Sequence, residues 1–148
     1  MKLLGVFPGQ MAPQFDAETL DGKKIKLADY RGKLVLIQFW ATTSEASTGE
    51  LATIKKARDK YKDKTLAVVS VSFDLDAAAA KSYAAGNGMD WPQIWVEGAE
   101  KSKLAQLYQV SKVPALFLIG RDGKIAATDL RGAKLLPAIE KELNKDKE

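Results

Sequence analysis

Three stretches of this chain are continuously apolar over the length of a strand: LVLIQF from Leu34, TLAVVSVSF from Thr65 and ALFLIG from Ala115. Runs of that kind predict strands covered on both faces. Between the first two, Leu51, Ile54 and Tyr61 recur at helical spacing among lysines and acids, which predicts an amphipathic helix from about Ser44 to Tyr61. Lys62-Asp63-Lys64 then reads as the turn into the next strand. The alanine-rich DLDAAAAKSYAAG predicts a second helix, with Asp74 or Asp76 near its cap and Gly86 near its end. Trp91-Pro92 leads into a short strand, QIWV, and a third helix is expected from about Ala99 to Tyr108. At the front, FDAETLDGKKIKLADY alternates apolar and polar residues around Asp21-Gly22, the signal of a hairpin with a two-residue turn. A second hairpin joins ALFLIG to IAATD through Arg121-Asp122-Gly123-Lys124. Leu135, Leu136, Ile139 and Leu143 close the chain with a helix, followed by a charged tail at 144–148.

The order is ββ, βαβαβα, ββ, α. Parallel strands need helical crossovers and cover, so this order predicts an α/β fold: a central mixed sheet with helices on both faces and an N-terminal hairpin. At 148 residues, with no repeat or linker, the chain reads as one domain with a core over about 8–143.

Composition then narrows the chemistry. The chain has no cysteine, which excludes disulfides, thiol catalysis and thiolate metal sites. It has no histidine, so the commonest general base and metal ligand is missing. Asp74, Asp76 and Asp90 have no metal-ligand spacing and read as caps and loop residues; no metal and no cofactor are expected. The net charge of +4 is dispersed, with no basic stripe interleaved with aromatics, so nucleic acid is not an expected partner. No segment has the length of a membrane span. The N-terminal apolar run before Pro8 is too short for the core of a signal peptide, which leaves a cytoplasmic protein and a trimmed mature segment both open.

Three segments, PGQMAPQFDAETLDGKKIKLADYRGKLVLIQFWAT, KVPALFLIGRDGKI and LRG, resemble the thioredoxin-fold proteins of the TlpA/ResA or AhpC/TSA (redoxin) group. The resemblance runs from about Pro8 to Leu143. It implies a thioredoxin-like fold and an active motif of the form W-A-T-W-C-x-P-C, with both cysteines at the first turn of a helix. Laid onto this chain, the two cysteine positions fall on Ser44 and Ser47. Thr43 stands where the family carries Trp, and Ala46 where it carries Pro. Four departures in one short motif point to drift in a lineage relieved of redox work, while designed replacement stays open. A helix N-terminus lowers a cysteine's pKa and yields a thiolate. A serine hydroxyl is far more basic and forms no S–S bond, so neither disulfide exchange nor peroxide reduction has a substitute here. A serine hydrolase would need an adjacent base, and with no histidine that reading is weak. The residues themselves suggest helix caps, since Thr42-x-x-Glu45 and Ser47-x-x-Glu50 both fit the capping-box pattern.

The resemblance marks further positions. Val113-Pro114 matches the family's cis-proline dipeptide, which sits beside the active turn and presents backbone to a bound peptide. An X–Pro bond is cis in only about 5% of folded cases, so that expectation comes from the resemblance alone. Glu50 falls where some of these oxidoreductases carry an acid serving the buried thiol. Without a thiol it reads as a helix-start carboxylate favoured by the dipole. Gln38, in a strand buried on both sides, must find partners for its amide. Trp40 is a candidate groove residue with Thr43, Glu45, Ala46, Glu50, Val113 and Pro114; Trp91 and Trp95 are candidate surface aromatics. The expected function is therefore a redox-inactive thioredoxin-like domain binding a protein or extended peptide through the groove between the Ser44 turn and Pro114. The alternative is a redox-dead, cysteine-to-serine form of a thiol–disulfide oxidoreductase. The resemblance also suggests an extracytoplasmic location.

Overall fold

The structure is a computed structural model that describes residues 6–61 and 66–145. The expected turn at Lys62-Asp63-Lys64 and the last residues of the charged tail lie outside these. Seven strands and five helices are present among the described residues: β1 (Asp16–Glu18), β2 (Lys24–Lys26), β3 (Leu34–Trp40), α1 (Glu45–Gly49), α2 (Leu51–Tyr61), β4 (Leu66–Ser72), α3 (Ala77–Gly86), β5 (Gln93–Trp95), α4 (Lys103–Leu107), β6 (Ala115–Ile119), β7 (Ile125–Thr128) and α5 (Leu135–Asn144).

Five strands form the central sheet in the order β5-β4-β3-β6-β7, and β1 with β2 makes a separate antiparallel hairpin. β3 runs parallel to β4 and antiparallel to β6, so the sheet is mixed. All seven residues of β3 are buried. Successive side chains of a strand point to opposite faces, and here each face has its own cover. Leu34, Leu36 and Trp40 pack with Leu51, Ile54, Leu135 and Ile139 of α2 and α5. Val35, Ile37 and Phe39 pack with Ile94, Tyr108 and Phe117 on the other side, where Phe15 and Leu104 join them. A run of seven apolar or buried residues is stable as a strand only in this doubly covered place.

Three expected elements differ in detail. The hairpin turn is wider than two residues: Gly22 N–H donates to Thr19 O, and Thr19 N–H donates to Lys23 O. Gly22 has φ +88°, a left-handed conformation that costs a glycine little, so the turn takes one extra residue and keeps its register. The helix expected from Ser44 to Tyr61 is interrupted at Glu50, whose N–H donates to Ser47 O in the tighter 3-10 pattern. The helix expected from Ala99 to Tyr108 is likewise two pieces, a 3-10 turn at Ala99–Lys101 and then α4. Ser102 separates them and caps α4, accepting from Ala105 N–H at 3.2 Å. Asp76 rather than Asp74 caps α3, accepting from Ala79 N–H at 2.9 Å.

Candidate functional site

The strand register decides what meets at the end of the sheet. Trp40, the last residue of β3, is level with Ser72 of β4, and Phe39 is level with Ala115 of β6. The turn after β3, the loop after β4 and the dipeptide before β6 therefore emerge together. The Val113–Pro114 bond in that dipeptide is cis.

Within the turn, Ser44 is the helix cap. Its backbone is extended, with φ −99° and ψ 112°, and its side-chain oxygen accepts from Ser47 N–H at 3.1 Å. Neither expected capping box forms. Thr42 is drawn elsewhere: its N–H and its hydroxyl both donate to Asp74 Oδ1 at 2.8 Å. Ser47 is fully buried on the inner side of α1, and its hydroxyl has no hydrogen-bond partner. The two serines thus differ: one oxygen finishes the helix, and the other is buried without a hydrogen-bond partner. Among the described residues no acid or amine is hydrogen-bonded to either hydroxyl, whereas a serine nucleophile needs an adjacent base.

Asp74 is the residue that local reading missed. It is 5% exposed. Its Oδ2 accepts from the Ser72 hydroxyl at 2.7 Å, and its own N–H donates back to Ser72 Oγ at 2.9 Å. Trp95 Nε1–H donates to the Asp74 carbonyl at 2.8 Å. A buried carboxylate is tolerated when donors surround it, and this one ties the turn after β3 to the end of β4, while the residue's backbone carbonyl reaches β5. A signal was present in the sequence, since an acid two residues beyond a strand serine is placed to fold back on it. Its partnership with Thr42 spans 32 positions and has no local pattern.

Other site residues distribute as follows. Thr43, Glu45 and Ala46 are exposed on the outer face of the turn, and Val113 and Pro114 are half-buried beside it. Trp40 is not a groove residue: it is 1% exposed and packs against Tyr83 with ring centroids 5.5 Å apart. A residue at that register on a doubly covered strand has no route to the surface. Glu50 does not act only on its helix dipole. Its Oε1 accepts from Gly132 N–H at 2.8 Å, fastening the α1–α2 junction to the turn before α5. Gln38 is a core polar contact: Ser70 Oγ–H donates to its Oε1 at 2.7 Å, and Trp91 Nε1–H donates to Ser70 Oγ at 2.8 Å. Trp91 is consequently buried, with the Arg58 guanidinium 5.4 Å from its ring centroid, while Trp95 is half-buried. Asp90 is a loop residue paired with Arg58 at 2.5 Å.

On the rim stands Leu75, next to Asp74 in sequence and 99% exposed. Clefts also lie away from the turn. One of about 750 Å³ runs between β1, β5 and α4, and one of about 310 Å³ lies between the hairpin loop and α3.

Residues 8–128 match the AhpC/TSA family. The chain is 30% identical over 137 residues to the thiol-disulfide oxidoreductase ResA of Bacillus thuringiensis subsp. konkukian, covering 93% of this chain and 77% of that one. It is 32% identical over 127 residues to the thioredoxin-like protein YneN of Bacillus subtilis, covering 84% and 72%. Among solved structures, the C-terminal domain of a putative thiol-disulfide oxidoreductase from Bacteroides thetaiotaomicron superposes with a TM-score of 0.86 at 30% identity, over 95% of this chain and 98% of that one. The thioredoxin domain of a thiol-disulfide oxidoreductase from Bacteroides vulgatus gives 0.84 at 28% identity, over 93% and 98%. With this sheet, this turn and no sulfur in it, the chain belongs to the AhpC/TSA family as a thioredoxin-like member without cysteine.

Proposed function

We propose that this protein is a redox-inactive thioredoxin-like domain that binds a protein or extended peptide along the groove between the Ser44 turn and Pro114. The observation that carries the reading is the serine pair. Both positions that match the family's cysteines hold hydroxyls, in a turn whose surroundings are otherwise kept in order by Asp74 and the Ser44 cap. Thiolate chemistry is absent, while exposed Thr43, Ala46 and Leu75 and the half-buried Val113–Pro114 dipeptide remain available to a partner. Leu75, next to Asp74 in sequence, supplies apolar area with nothing packed over it.

The test has two arms. Insulin reduction and peroxide turnover by the pure protein stay at the buffer baseline. Peptides selected from a displayed random library on the wild type lose binding by tenfold or more on Leu75→Asp and on Thr43→Arg. Turnover above the blank overturns the first half; peptides indifferent to both substitutions overturn the second.

One observation favours a second reading, the serine form of a working thiol–disulfide oxidoreductase. The partnerless buried hydroxyl of Ser47 is what near-isosteric replacement of a thiol leaves behind. Restoring cysteine at both positions separates the two. A working enzyme regains rapid insulin reduction, whereas a binding domain closes the disulfide without it.

A further inference from the structure

The cleft of about 310 Å³ has three walls: the hairpin loop with Leu20 and Ile25, the end of α3 with Ala84 and Ala85, and the segment 89–93. Its lining draws on both apolar clusters of the molecule. Ala84, Met89 and Trp91 belong to the cluster under α2 and α5, and Ile25 packs on the other. Backbone fastens the hairpin loop to β5: Leu20 N–H donates to Gln93 O at 2.8 Å, and Thr19 bridges Ile94. The cleft is thus a seam of the fold itself, at the lower end of the size range of small-molecule pockets.

One polar group of this lining is unspent. Gln93 is 8% exposed, and its side-chain Nε2 donates to Trp91 O at 3.3 Å. A carbonyl only accepts, so the nitrogen end of the amide is the end held there. Oε1 is left buried with no donor among the described residues. Two neighbouring donors are already committed. Ser70, level with Gln93 on β4, gives its hydroxyl proton to Gln38 Oε1, and Trp91 gives its indole N–H to Ser70 Oγ. A buried acceptor without a donor is costly, and native folds rarely leave one. Charge on the rim selects little: Lys23 and Lys81 stand there against Asp21 and Asp90, all four exposed and screened by water. An ionic group carried past them onto the apolar lining would lose its hydration without gaining a partner.

We propose that this cleft is a binding site for a small, neutral, largely apolar molecule that carries one N–H or O–H donor. The donor meets Gln93 Oε1, and the apolar body covers Leu20, Ala84 and Met89. Burial of the body supplies most of the affinity, and the single acceptor fixes the orientation. The site shares no residue with the Ser44 groove, so it stands or falls independently of peptide binding there.

The probes are indole and 1-methylindole, which share a body and differ in the N–H. Each is titrated into the ¹⁵N-labelled full chain and followed by NMR. Indole should saturate at millimolar concentration, shifting the amides of Leu20, Ala84 and Met89 and the side-chain amide of Gln93. 1-Methylindole should bind about tenfold more weakly at the same residues, through loss of one hydrogen bond to a buried acceptor. Gln93→Met removes the acceptor at similar volume, and on that variant the two probes should bind alike. Ala85→Trp, at an exposed position of α3, fills the cleft without entering the core and should abolish both. The absence of saturable shifts up to the solubility limit of indole overturns the proposal. So does equal binding of the two probes to the wild type, or indole binding undiminished by Ala85→Trp. If Gln93→Met fails to fold, the wild-type probe ratio and Ala85→Trp still decide the matter.

Discussion

Thr42 and Ser47 lie five positions apart on the same turn, and the fold treats them in opposite ways. Thr42 gives both its N–H and its hydroxyl to Asp74, which also takes the Ser72 hydroxyl, so the carboxylate has donors on both oxygens. Ser47, fully buried where Thr42 is half-buried, has no partner for its hydroxyl. Gln38 Nε2 and Trp40 Nε1, on the face of β3 turned towards α2, are also buried without partners. The lesson is that the turn's shape is held from the β4 side, through Asp74 and Ser72, while the Ser47 side chain contributes little to holding it. A turn supported in that way keeps its form whatever small side chain stands at position 47.

The comparison is broken most severely at Asp74. Asp74→Ala strands three donors in a buried place, and the expected loss is about 3 kcal/mol or more. Urea denaturation measures it as a lower midpoint with an unchanged slope. Faster hydrogen exchange at the Thr42 amide should accompany it. A loss below about 1 kcal/mol would show that the turn is held from elsewhere.

That dependence also explains what was legible in the sequence. The long apolar strands, the hairpins and the last helix declare themselves, because their causes are local periodicity and turn residues. Ser102 and Asp76 act as caps for equally local reasons. Asp74 does not declare itself, and Gln38 declares a need for partners without naming them, since each finds its partner 32 positions away across the β3–β4 pairing. Glu50 is more distant still, reaching 82 positions to Gly132. The short pattern S/T-x-x-E pointed to Thr42 and Ser47 as caps, yet tertiary partners claimed the first and burial silenced the second. Trp40 was misplaced for the reverse reason: the motif beside it belongs to a surface turn, but its own strand position is covered on both faces.

Between the serines a smaller and signed difference is expected. Ser44→Ala removes a cap and costs about 1 kcal/mol. Ser47→Ala removes a hydroxyl that makes no bond, so stability stays level or rises by up to about 1 kcal/mol. Chemical denaturation of both single variants and the double reads the difference directly. Equal losses at the two positions would mean that Ser47 has a partner after all, such as an internal water, and would end the contrast.

The smallest effect lies at the far end of the helix that follows the turn, where α2 is clasped to α5. The Tyr61 hydroxyl donates to Glu140 Oε2 at 2.5 Å, and Lys60 lies 3.2 Å from the same oxygen. The Tyr61 hydrogen bond, with Lys60 adding to it, holds the Glu140 carboxyl below its ordinary value of 4.5. A carboxyl whose folded pKa is depressed adds stability above the unfolded value, and that stability is lost as pH falls through the folded value. The wild type should therefore exceed Glu140→Gln in stability by a small, constant margin at neutral pH, shrinking to nothing in acid below 4.5. Glu140 is partly exposed and the margin is screened, so salt should reduce it too. Through all of this the Thr42 and Ser44 amide shifts should not move, because their supports are Asp74 and the cap rather than the clasp. Movement at those two amides on protonating Glu140 would show α1 and α2 behaving as one rigid lever despite the break at Glu50, and the turn would then be held from both sides.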